Sequence, residues 1–377
     1  MSIIIFILII YFLDIKSASS NNISHLQYTY NNNNTLNINL LNNKPHNYID
    51  KHLRKLSESH QLVIHIDMQM MESFYSEDSS LLMQYKIINS SIYKAKETIE
   101  KLINIKKPPK VINMDQYIDQ ISNSGFSQIK ETFRNTIINA DLIILVRIKG
   151  AKEAGIRTNY FAIPNIIVQD EDNRIIIGYL AINYEYFLPD DNVYKEELLT
   201  TLFLHQFTHL LGFDIKVLKI QGLVEEKFVN SRIKKKSTKK FVVISNNVIK
   251  KAMDYYNCKD LEYLELRKEM KDIDNLPDSH WESRLLLGDY MSSDIYYPEQ
   301  VISEITLALL EDLGWYEVNY YTGGLMRFGK NKGCDFIYND CINVFNSTYA
   351  LPKFNNEFCS SDSFGTCSSG RQSRGYC

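Results

Sequence analysis

The sequence predicts a mixed fold of the α+β class, because helical and extended patterns of apolar residues occur in one chain. Residues 141–148 form a continuous run rich in β-branched side chains, which predicts a strand buried on both faces. Residues 165–169 and 174–178 predict a β-hairpin across a polar turn. Residues 194–211 are apolar nearly all round, which indicates a helix inside the protein. These elements fit an α+β fold but do not by themselves establish its type.

The remaining segments are assigned from the same kinds of pattern. Further helices are predicted over residues 82–105, 113–138 and 301–313. Residues 234–240 are basic and contain Ser and Thr, so we expect a solvated loop there. Residues 20–45 are dominated by Asn and Ser, which predicts a segment without regular structure.

Length and composition describe an ordinary globular protein. The chain has 377 residues, of which 45% are hydrophobic and 23% charged, and it is long enough for two or three domains. Its net charge of −3 provides no strong attraction to nucleic acids or to an acidic membrane surface. We therefore expect no nucleic-acid partner, and composition leaves the activity open.

The N-terminus is typical of a secretory signal peptide covering residues 1–19. Ile3–Leu13 is an apolar run of 11 residues, which is shorter than the roughly 20 residues of a membrane-spanning helix. The small residues over 17–20 fit a cleavage site, whereas the usual basic n-region is missing. A buried strand or an uncleaved anchor is the alternative interpretation.

Six cysteines favour the same secretory route, since five of them fall within the last 44 residues. Such clustering is typical of a disulfide-stabilised module made in an oxidising compartment. No Cys-x-x-Cys pair is present, so disulfides are favoured over zinc binding, with several pairings open among Cys258, Cys334, Cys341, Cys359, Cys367 and Cys377. Glycosylation sequons at Asn22, Asn33, Asn89 and Asn346 would suit a secreted chain.

The distribution of histidine is the strongest sign of chemistry in the sequence. Of eight histidines, three lie beyond residue 65: His205, His209 and His280. The first two are four residues apart on the predicted buried helix, so they project from one face. Buried imidazoles need partners, and zinc takes neutral imidazole nitrogens. The alternative is an ordinary pair of core histidines, and His280 is the one downstream histidine that could add a third ligand.

The residues around the pair extend the motif. Residues 205–212 read His-Gln-Phe-Thr-His-Leu-Leu-Gly, and Gly212 would let the chain turn sharply beneath a metal. His280 follows after 67 intervening residues, and Met291 lies eleven residues beyond it. This combination resembles the leishmanolysin family of metzincin zinc peptidases, in which a long insertion precedes the third histidine and a methionine turn. The resemblance covers roughly residues 85–377 and includes segments 254–258, 305–315 and 329–334.

The resemblance implies a fold, a metal site and a domain order. The fold would be an α+β metzincin-type zinc metallopeptidase with a Cys-rich C-terminal region. One zinc ion would be held by His205, His209 and His280, with Met291 in the methionine turn, for peptide-bond hydrolysis by zinc-activated water. The implied order is a signal peptide over 1–19, an Asn-rich propeptide-like segment over 20–80, a catalytic subdomain with the zinc helix over 81–215, a second subdomain with the third histidine and methionine turn over 216–325, and a shortened Cys-rich region over 326–377.

Three departures from the family pattern change these expectations. Gln206 stands at the position of the general-base glutamate, and an amide can hydrogen-bond a water but cannot accept its proton. Tyr48 stands where a propeptide cysteine of the family can ligate the zinc. No apolar tail follows Cys377, so we expect no C-terminal glycolipid anchor.

Two functions follow from these patterns. The first is a leishmanolysin-like zinc metalloendopeptidase acting on proteins or peptides, with activity weak or lost because of Gln206. The alternative is a catalytically silent zinc-binding pseudopeptidase that serves as a surface adhesion or peptide-binding protein. A structural glycoprotein with a vestigial metal site is a third interpretation. In each case we expect a secreted or cell-surface protein, and membrane association stays open.

Overall fold

The computed structural model describes residues 26–30, 36–40, 59–76, 82–107, 111–149, 161–183, 193–231, 236–267, 279–292, 300–322, 324–338, 357–358, 366–367 and 374–375. The chain divides into two compact units, Met1–Ser57 and Glu58–Cys377, and each is described by itself. The predicted signal peptide and Tyr48 lie outside the described residues.

The strands of the described residues are listed in chain order: β1 (Leu26–Tyr30), β2 (Leu36–Leu40), β3 (His60–Gln61), β4 (Ile64–Asp67), β5 (Ile103–Ile105), β6 (Val111–Asn113), β7 (Ile137–Asn139), β8 (Leu142–Lys149), β9 (Ala162–Gln169), β10 (Ile175–Asn183), β11 (Val224–Ser231), β12 (Lys236–Val243), β13 (Leu264–Glu265), β14 (Tyr316–Val318), β15 (Thr366–Cys367) and β16 (Arg374–Gly375).

The α-helices of the same residues are α1 (Gln69–Ser76), α2 (Leu82–Leu102), α3 (Ile118–Ile121), α4 (Val193–Leu210), α5 (Ile215–Ile220), α6 (Asn246–Tyr256), α7 (Ser283–Leu286), α8 (Glu304–Asp312) and α9 (Cys334–Tyr338). Short 3₁₀ or π turns occupy Met114–Tyr117, Ser122–Phe126, Ser127–Phe133 and Tyr320–Thr322. Helices and sheets in one chain confirm the α+β class.

A four-stranded mixed sheet of order β4-β8-β10-β9 forms the centre of the second unit. β8 pairs in parallel with both β4 and β10, and β9 runs antiparallel to β10 at the edge. Leu142 to Val146 of β8 are all buried, as their continuous apolar run predicts. The predicted hairpin is confirmed as β9 and β10, joined at a turn in which the Asp170 amide donates to the Arg174 carbonyl.

Helices α2 and α4 contribute to the main core together with this sheet. The buried face of α2 repeats at helical spacing and consists of Ile88, Ile92, Ala95 and Ile99. α4 lies close to β10, because a Cβ at Gly178 would come within 2.7 Å of the Leu210 Cδ2 atom. The predicted helices over 194–211 and 301–313 correspond to α4 and α8, the latter beginning after the cap Ser303. The helix predicted over 82–105 ends at Leu102, where β5 begins.

The single helix predicted over residues 113–138 is wrong. The chain there forms a succession of 3₁₀, α and π turns followed by β7. Gly125 has a φ of +92°, which interrupts the helical path, and Ser and Asn residues beside it are weak helix formers. Several apolar residues of this segment are buried, as their spacing predicts, but the backbone does not form one regular helix.

The loop predicted over residues 234–240 is also wrong, because Lys236–Val243 is strand β12 and pairs antiparallel with β11. One of its lysines is paired with two acidic residues, since the Lys240 Nζ atom lies 2.7 Å from carboxylate oxygens of both Glu265 and Glu282. Residues 20–45 contain β1 and β2, which pair from Leu26 with Leu40 to Tyr30 with Leu36. The high Asn content had predicted no regular structure for this segment, so the two short strands were missed.

A second, smaller sheet of order β14-β5-β3 joins segments that are far apart in sequence. Ile105 pairs with His60 on one side and with Tyr316 on the other. No helix in the described part of the chain combines the length and hydrophobicity needed to cross a lipid bilayer.

Among the described residues, Cys258 after α6 forms a disulfide with Cys334 at the start of α9, a pairing that the sequence had left open. The same two segments are held by main-chain bonds, because the Gly333 amide donates to the Tyr256 carbonyl at 2.7 Å. Cys367 lies in β15, whereas Cys341, Cys359 and Cys377 lie outside the described residues.

Candidate metal centre

Helix α4 carries His205 and His209 on one buried face. The two residues are 1% and 5% exposed, and their rings lie edge to face with centroids 4.6 Å apart. The helix around them is apolar and its flanking side chains Phe203, Phe207 and Leu210 are buried in the main core. The spacing of four residues therefore places both imidazoles side by side, as the sequence predicts.

The Nδ1 atom of each ring is fixed by a backbone carbonyl. His205 Nδ1 lies 2.7 Å from the Tyr290 oxygen, and His209 Nδ1 lies 2.8 Å from the Phe213 oxygen. Because a carbonyl oxygen can only accept, each Nδ1 is the protonated nitrogen of its ring. In a neutral imidazole the Nε2 atom then carries the free lone pair.

Both histidines are held in the neutral form that binds metals. Burial and then the neighbouring imidazoles lower the pKa of His205 well below its ordinary value. Burial and then the His280 ring lower the pKa of His209 from 6.5 to about 3. At neutral pH the two rings are therefore uncharged ligands with their lone pairs available.

His280 completes a cluster of three imidazoles. Its Nε2 atom lies 3.1 Å from the His205 Nε2 atom, which in turn lies 3.0 Å from the His209 Nε2 atom. The ligand atoms of all three lie within 4.8 Å of one another. His280 follows the insertion, so residues 75 apart in sequence meet here. The three histidines predicted from sequence are thus brought together.

The geometry of the cluster fits a tetrahedral metal. Two unprotonated nitrogens facing each other at 3.0 Å repel, and a cation between them removes that repulsion. Nitrogens at about 2.0–2.1 Å from a tetrahedral zinc lie about 3.3 Å apart, close to the observed separations. The described residues therefore contain a site that could hold one metal ion.

Tyr290 connects the segment after His280 to helix α4 in two ways. Its carbonyl accepts from His205, and its hydroxyl lies 2.8 Å from the Thr208 hydroxyl. Thr208 also donates to the Leu204 carbonyl at 2.8 Å. Since Tyr290 is buried, this connection fixes the orientation of the His205 ring.

A buried polar network shapes the turn that contains Met291. The Met291 amide donates to Asp289 Oδ1 at 2.6 Å, and the Thr306 hydroxyl donates to Asp289 Oδ2 at 2.8 Å. Trp281, next to His280, donates its indole N–H to Thr306 at 2.8 Å and its amide to the Met291 carbonyl at 3.0 Å. The network thus ties the third histidine to the turn. Met291 itself is fully buried.

Asp289 and Tyr290 were not among the residues for which the sequence predicts a role. The signal that could have found them is an acidic residue and a tyrosine inside an otherwise apolar turn. A buried carboxylate is costly unless hydrogen-bonded, so its presence indicates a network.

We expect Asp289 to make stability depend on pH. Burial raises its pKa from 3.8 to about 6, although hydrogen bonds from Ser303, Met291 and Thr306 oppose the shift. The folded state therefore binds this proton more tightly, so the stabilisation is full below the unfolded pKa of 3.8 and is lost as pH rises through about 6. The contribution is about 3 kcal/mol at most.

Chemical denaturation of wild type and Asp289→Asn at several pH values measures this effect. The wild-type free energy of unfolding should fall more steeply between about pH 4 and 7 than that of the variant. If the free energy of unfolding changes with pH equally in both proteins, Asp289 does not titrate in this range.

Gly212 allows the chain to leave α4 directly after the second histidine. Its φ is +115°, and a Cβ there would lie 2.9 Å from the Leu313 Cδ1 atom and 3.0 Å from the Trp315 ring. The next helix, α5, is joined to the third-ligand region, because the Ile215 amide donates to the Ser279 hydroxyl at 2.8 Å. Gly212 therefore turns the chain at the end of α4, and residues of the segment 305–315 pack against it.

Gln206 lies between the two helical histidines in sequence and is 6% exposed. Its Oε1 atom is buried and has no hydrogen-bond partner among the described residues. A buried, unpaired amide oxygen is unfavourable by about 1–3 kcal/mol, which is unusual unless a bound molecule satisfies it.

A family model described as leishmanolysin matches residues 70–377. The chain is 33% identical over 119 residues to a leishmanolysin-like peptidase of Drosophila melanogaster, covering 32% of this chain and 17% of the relative. It is 28% identical over 185 residues to leishmanolysin of Leishmania donovani, covering 48% of this chain and 29% of the relative.

A vertebrate protein is also similar. The chain is 26% identical over 211 residues to a ciliated left-right organizer metallopeptidase of Danio rerio, covering 52% of this chain and 32% of the relative. The aligned segments therefore span less than a third of the length of each of these three relatives.

Proposed function

The chain belongs to the leishmanolysin family, and from that premise we propose that it is a metzincin-type zinc metalloendopeptidase homologue whose own peptidase activity is weak or lost. One zinc ion is held by His205, His209 and His280, and Met291 forms the methionine turn. The observation that carries this proposal is the convergence of three imidazole Nε2 atoms at separations of 3.0 and 3.1 Å.

The chemistry of the donor set supports zinc. Three imidazole ligands would leave a fourth tetrahedral position for a water or a substrate, which is the ligand arrangement of catalytic rather than structural zinc sites. When bound, zinc polarises a peptide carbonyl and makes a water molecule acidic enough to attack it near neutral pH.

Gln206 supports the reduced activity. The amide can orient a water through its oxygen or its N–H groups, but it cannot accept the water's proton or deliver it to the leaving amine. Gln206 is buried and directly follows His205 in helix α4, which is the position of the general-base glutamate in the family pattern. The chain therefore keeps the groups that bind and orient and lacks the group that transfers protons.

A second candidate function is a catalytically silent zinc-binding pseudopeptidase that acts as a surface adhesion or peptide-binding protein. Gln206 favours it, because this substitution removes proton transfer while the three imidazoles remain. The two candidates share the metal site and differ in turnover.

The other sequence expectations remain proposals. We propose a secreted or cell-surface location after removal of residues 1–19, a propeptide-like segment to residue 80, and subdomains divided near residues 215 and 325. The Cys-rich region over 326–377 would begin next to the Cys258–Cys334 disulfide. Protein or peptide substrates or surface ligands are the expected partners.

Zinc content measured by elemental analysis tests the metal site. We expect about one zinc per wild-type chain and a fall to near zero in His280→Ala, because two imidazoles alone bind zinc far more weakly. His65→Ala is the matched control, since His65 is half-buried in strand β4 and outside the cluster. Equal zinc in His280→Ala and wild type would remove His280 from the site.

A further inference from the structure

We propose that this site is a receptor for carboxylates, and that it binds the free C-terminal carboxylate of a peptide in preference to a neutral C-terminal amide. The inference rests on the proposed zinc site and names the class of ligand that the site takes. Three features of the chain carry it: the charge of the cluster, the chemistry of Gln206 and the accessibility of His280.

The first feature is the absence of a balancing negative charge. Among the described residues, the cluster that could hold a metal consists of histidines, and no aspartate or glutamate joins it. An imidazole that binds a metal offers a lone pair but no negative charge. A divalent cation here keeps its full double charge in a largely buried site, which favours an anionic ligand.

The second feature is the replacement of a carboxylate by an amide at residue 206. A glutamate would repel a bound carboxylate and offer it no donor at neutral pH. Gln206 carries no charge and has two N–H groups, so it can donate to a carboxylate oxygen. Such a bond is charge-assisted and about twice as strong as a bond between neutral groups.

The unpaired oxygen of Gln206 adds a second point of recognition. Its buried Oε1 atom lacks a donor among the described residues. The last residue of a peptide presents a carboxylate and, two bonds away, its own backbone N–H. One peptide end therefore offers an acceptor to the amide nitrogen of Gln206 and a donor to its oxygen.

The third feature is the partial exposure of His280. His205 and His209 are almost fully buried, whereas His280 is half-buried. Ligand atoms of His280 still lie within 4.8 Å of those of the other two. A ligand would therefore approach past His280, the most exposed of the three residues, and a peptide end has less bulk to bring there than the middle of a folded chain.

Fluorescence anisotropy on the zinc-loaded full chain tests the inference. The probes are one short dansyl-labelled peptide with a free C-terminal carboxylate and the same peptide with a C-terminal amide. We expect the acid to bind at least about tenfold more tightly than the amide, since an uncompensated cation discriminates strongly between charged and neutral ligands. Acetate should compete with the acid, and treatment with a chelator should abolish the preference.

Two variants place the preference on residue 206. Gln206→Glu should lose most of it, because the new charge repels the ligand. Gln206→Met keeps the size and neutrality of the side chain but removes both hydrogen-bonding groups. This variant should therefore lose part of the preference for the acid. If both variants keep the wild-type preference for the acid over the amide, the role of Gln206 is overturned. One correctly folded variant is enough for this comparison.

The remaining outcomes separate this inference from the proposed function. Equal binding of acid and amide by a chain that contains zinc overturns the inference and leaves the metal site standing. A chain without zinc overturns both. An amide-capped peptide with an internal aspartate that binds as tightly as the acid would overturn the assignment to the peptide terminus.

Discussion

Replacement of Gln206 by glutamate should increase the rate of peptide hydrolysis by about 10²–10⁴-fold, which is the usual contribution of general acid–base catalysis. The substitution is nearly isosteric, so it restores a proton acceptor without disturbing the packing of α4. The side chain is 6% exposed and belongs to the residue between His205 and His209 that corresponds to the general base of the family. The measurement is the cleavage rate of a quenched fluorescent peptide library by zinc-loaded wild type and variant.

Two controls make this experiment decisive. Gln206→Met has a similar size and no acid–base function, so its rate should stay at or below that of wild type. The double variant Gln206→Glu with His280→Ala should be inactive if the gain depends on the metal site. Equal rates for wild type and Gln206→Glu would show that this position does not limit turnover.

Zinc should stabilise the folded chain by about 4 kcal/mol when its free concentration is about a thousandfold above Kd. The reason is that the metal binds the folded cluster, whereas the unfolded chain separates His205 from His280 by 75 residues. Without the metal, unprotonated nitrogens of His205 and His209 face each other at 3.0 Å in a buried site. Calorimetric scans with excess chelator and with added zinc measure the difference in unfolding temperature.

His280→Ala is again the informative comparison. Its unfolding temperature should respond little to chelator or zinc, because the third ligand is gone. A wild-type chain that unfolds at the same temperature in both conditions would contradict the presence of a metal in the folded state.

Much of the fold could be predicted from sequence where one pattern determines one structure. The continuous apolar run of β8 predicted a buried strand, and the polar turn between β9 and β10 predicted a hairpin. Helix α4 was found to within one residue at each end, since it is apolar all round and ends before Gly212.

The errors came from segments in which local composition and tertiary pairing disagree. The composition of residues 234–240 predicts a solvated loop, but Lys240 meets Glu265 and Glu282 only once the strands are paired. Residues 113–138 have apolar residues at helical spacing, and nothing in that spacing reveals the interruption at Gly125.

The three histidines were accessible from sequence because histidine is rare beyond residue 65, so few combinations existed. The residues that support the histidines, Tyr290 and Asp289, could not be found in the same way. Tyr290 acts through its carbonyl oxygen, which every residue possesses, and Asp289 acts through a threonine that lies 17 residues later. Roles that depend on main-chain atoms or on distant pairing leave no pattern in a single sequence.

The small sheet of β3, β5 and β14 has a consequence for synthesis of the protein. β5 is made early, but its partner Tyr316–Val318 leaves the ribosome more than two hundred residues later. During that time one edge of β5 has no neighbour on the nascent chain, and such edges recruit other strands. Shortened chains that end before Val318 should consequently aggregate, and folding of this unit should be completed only after most of it has been translated.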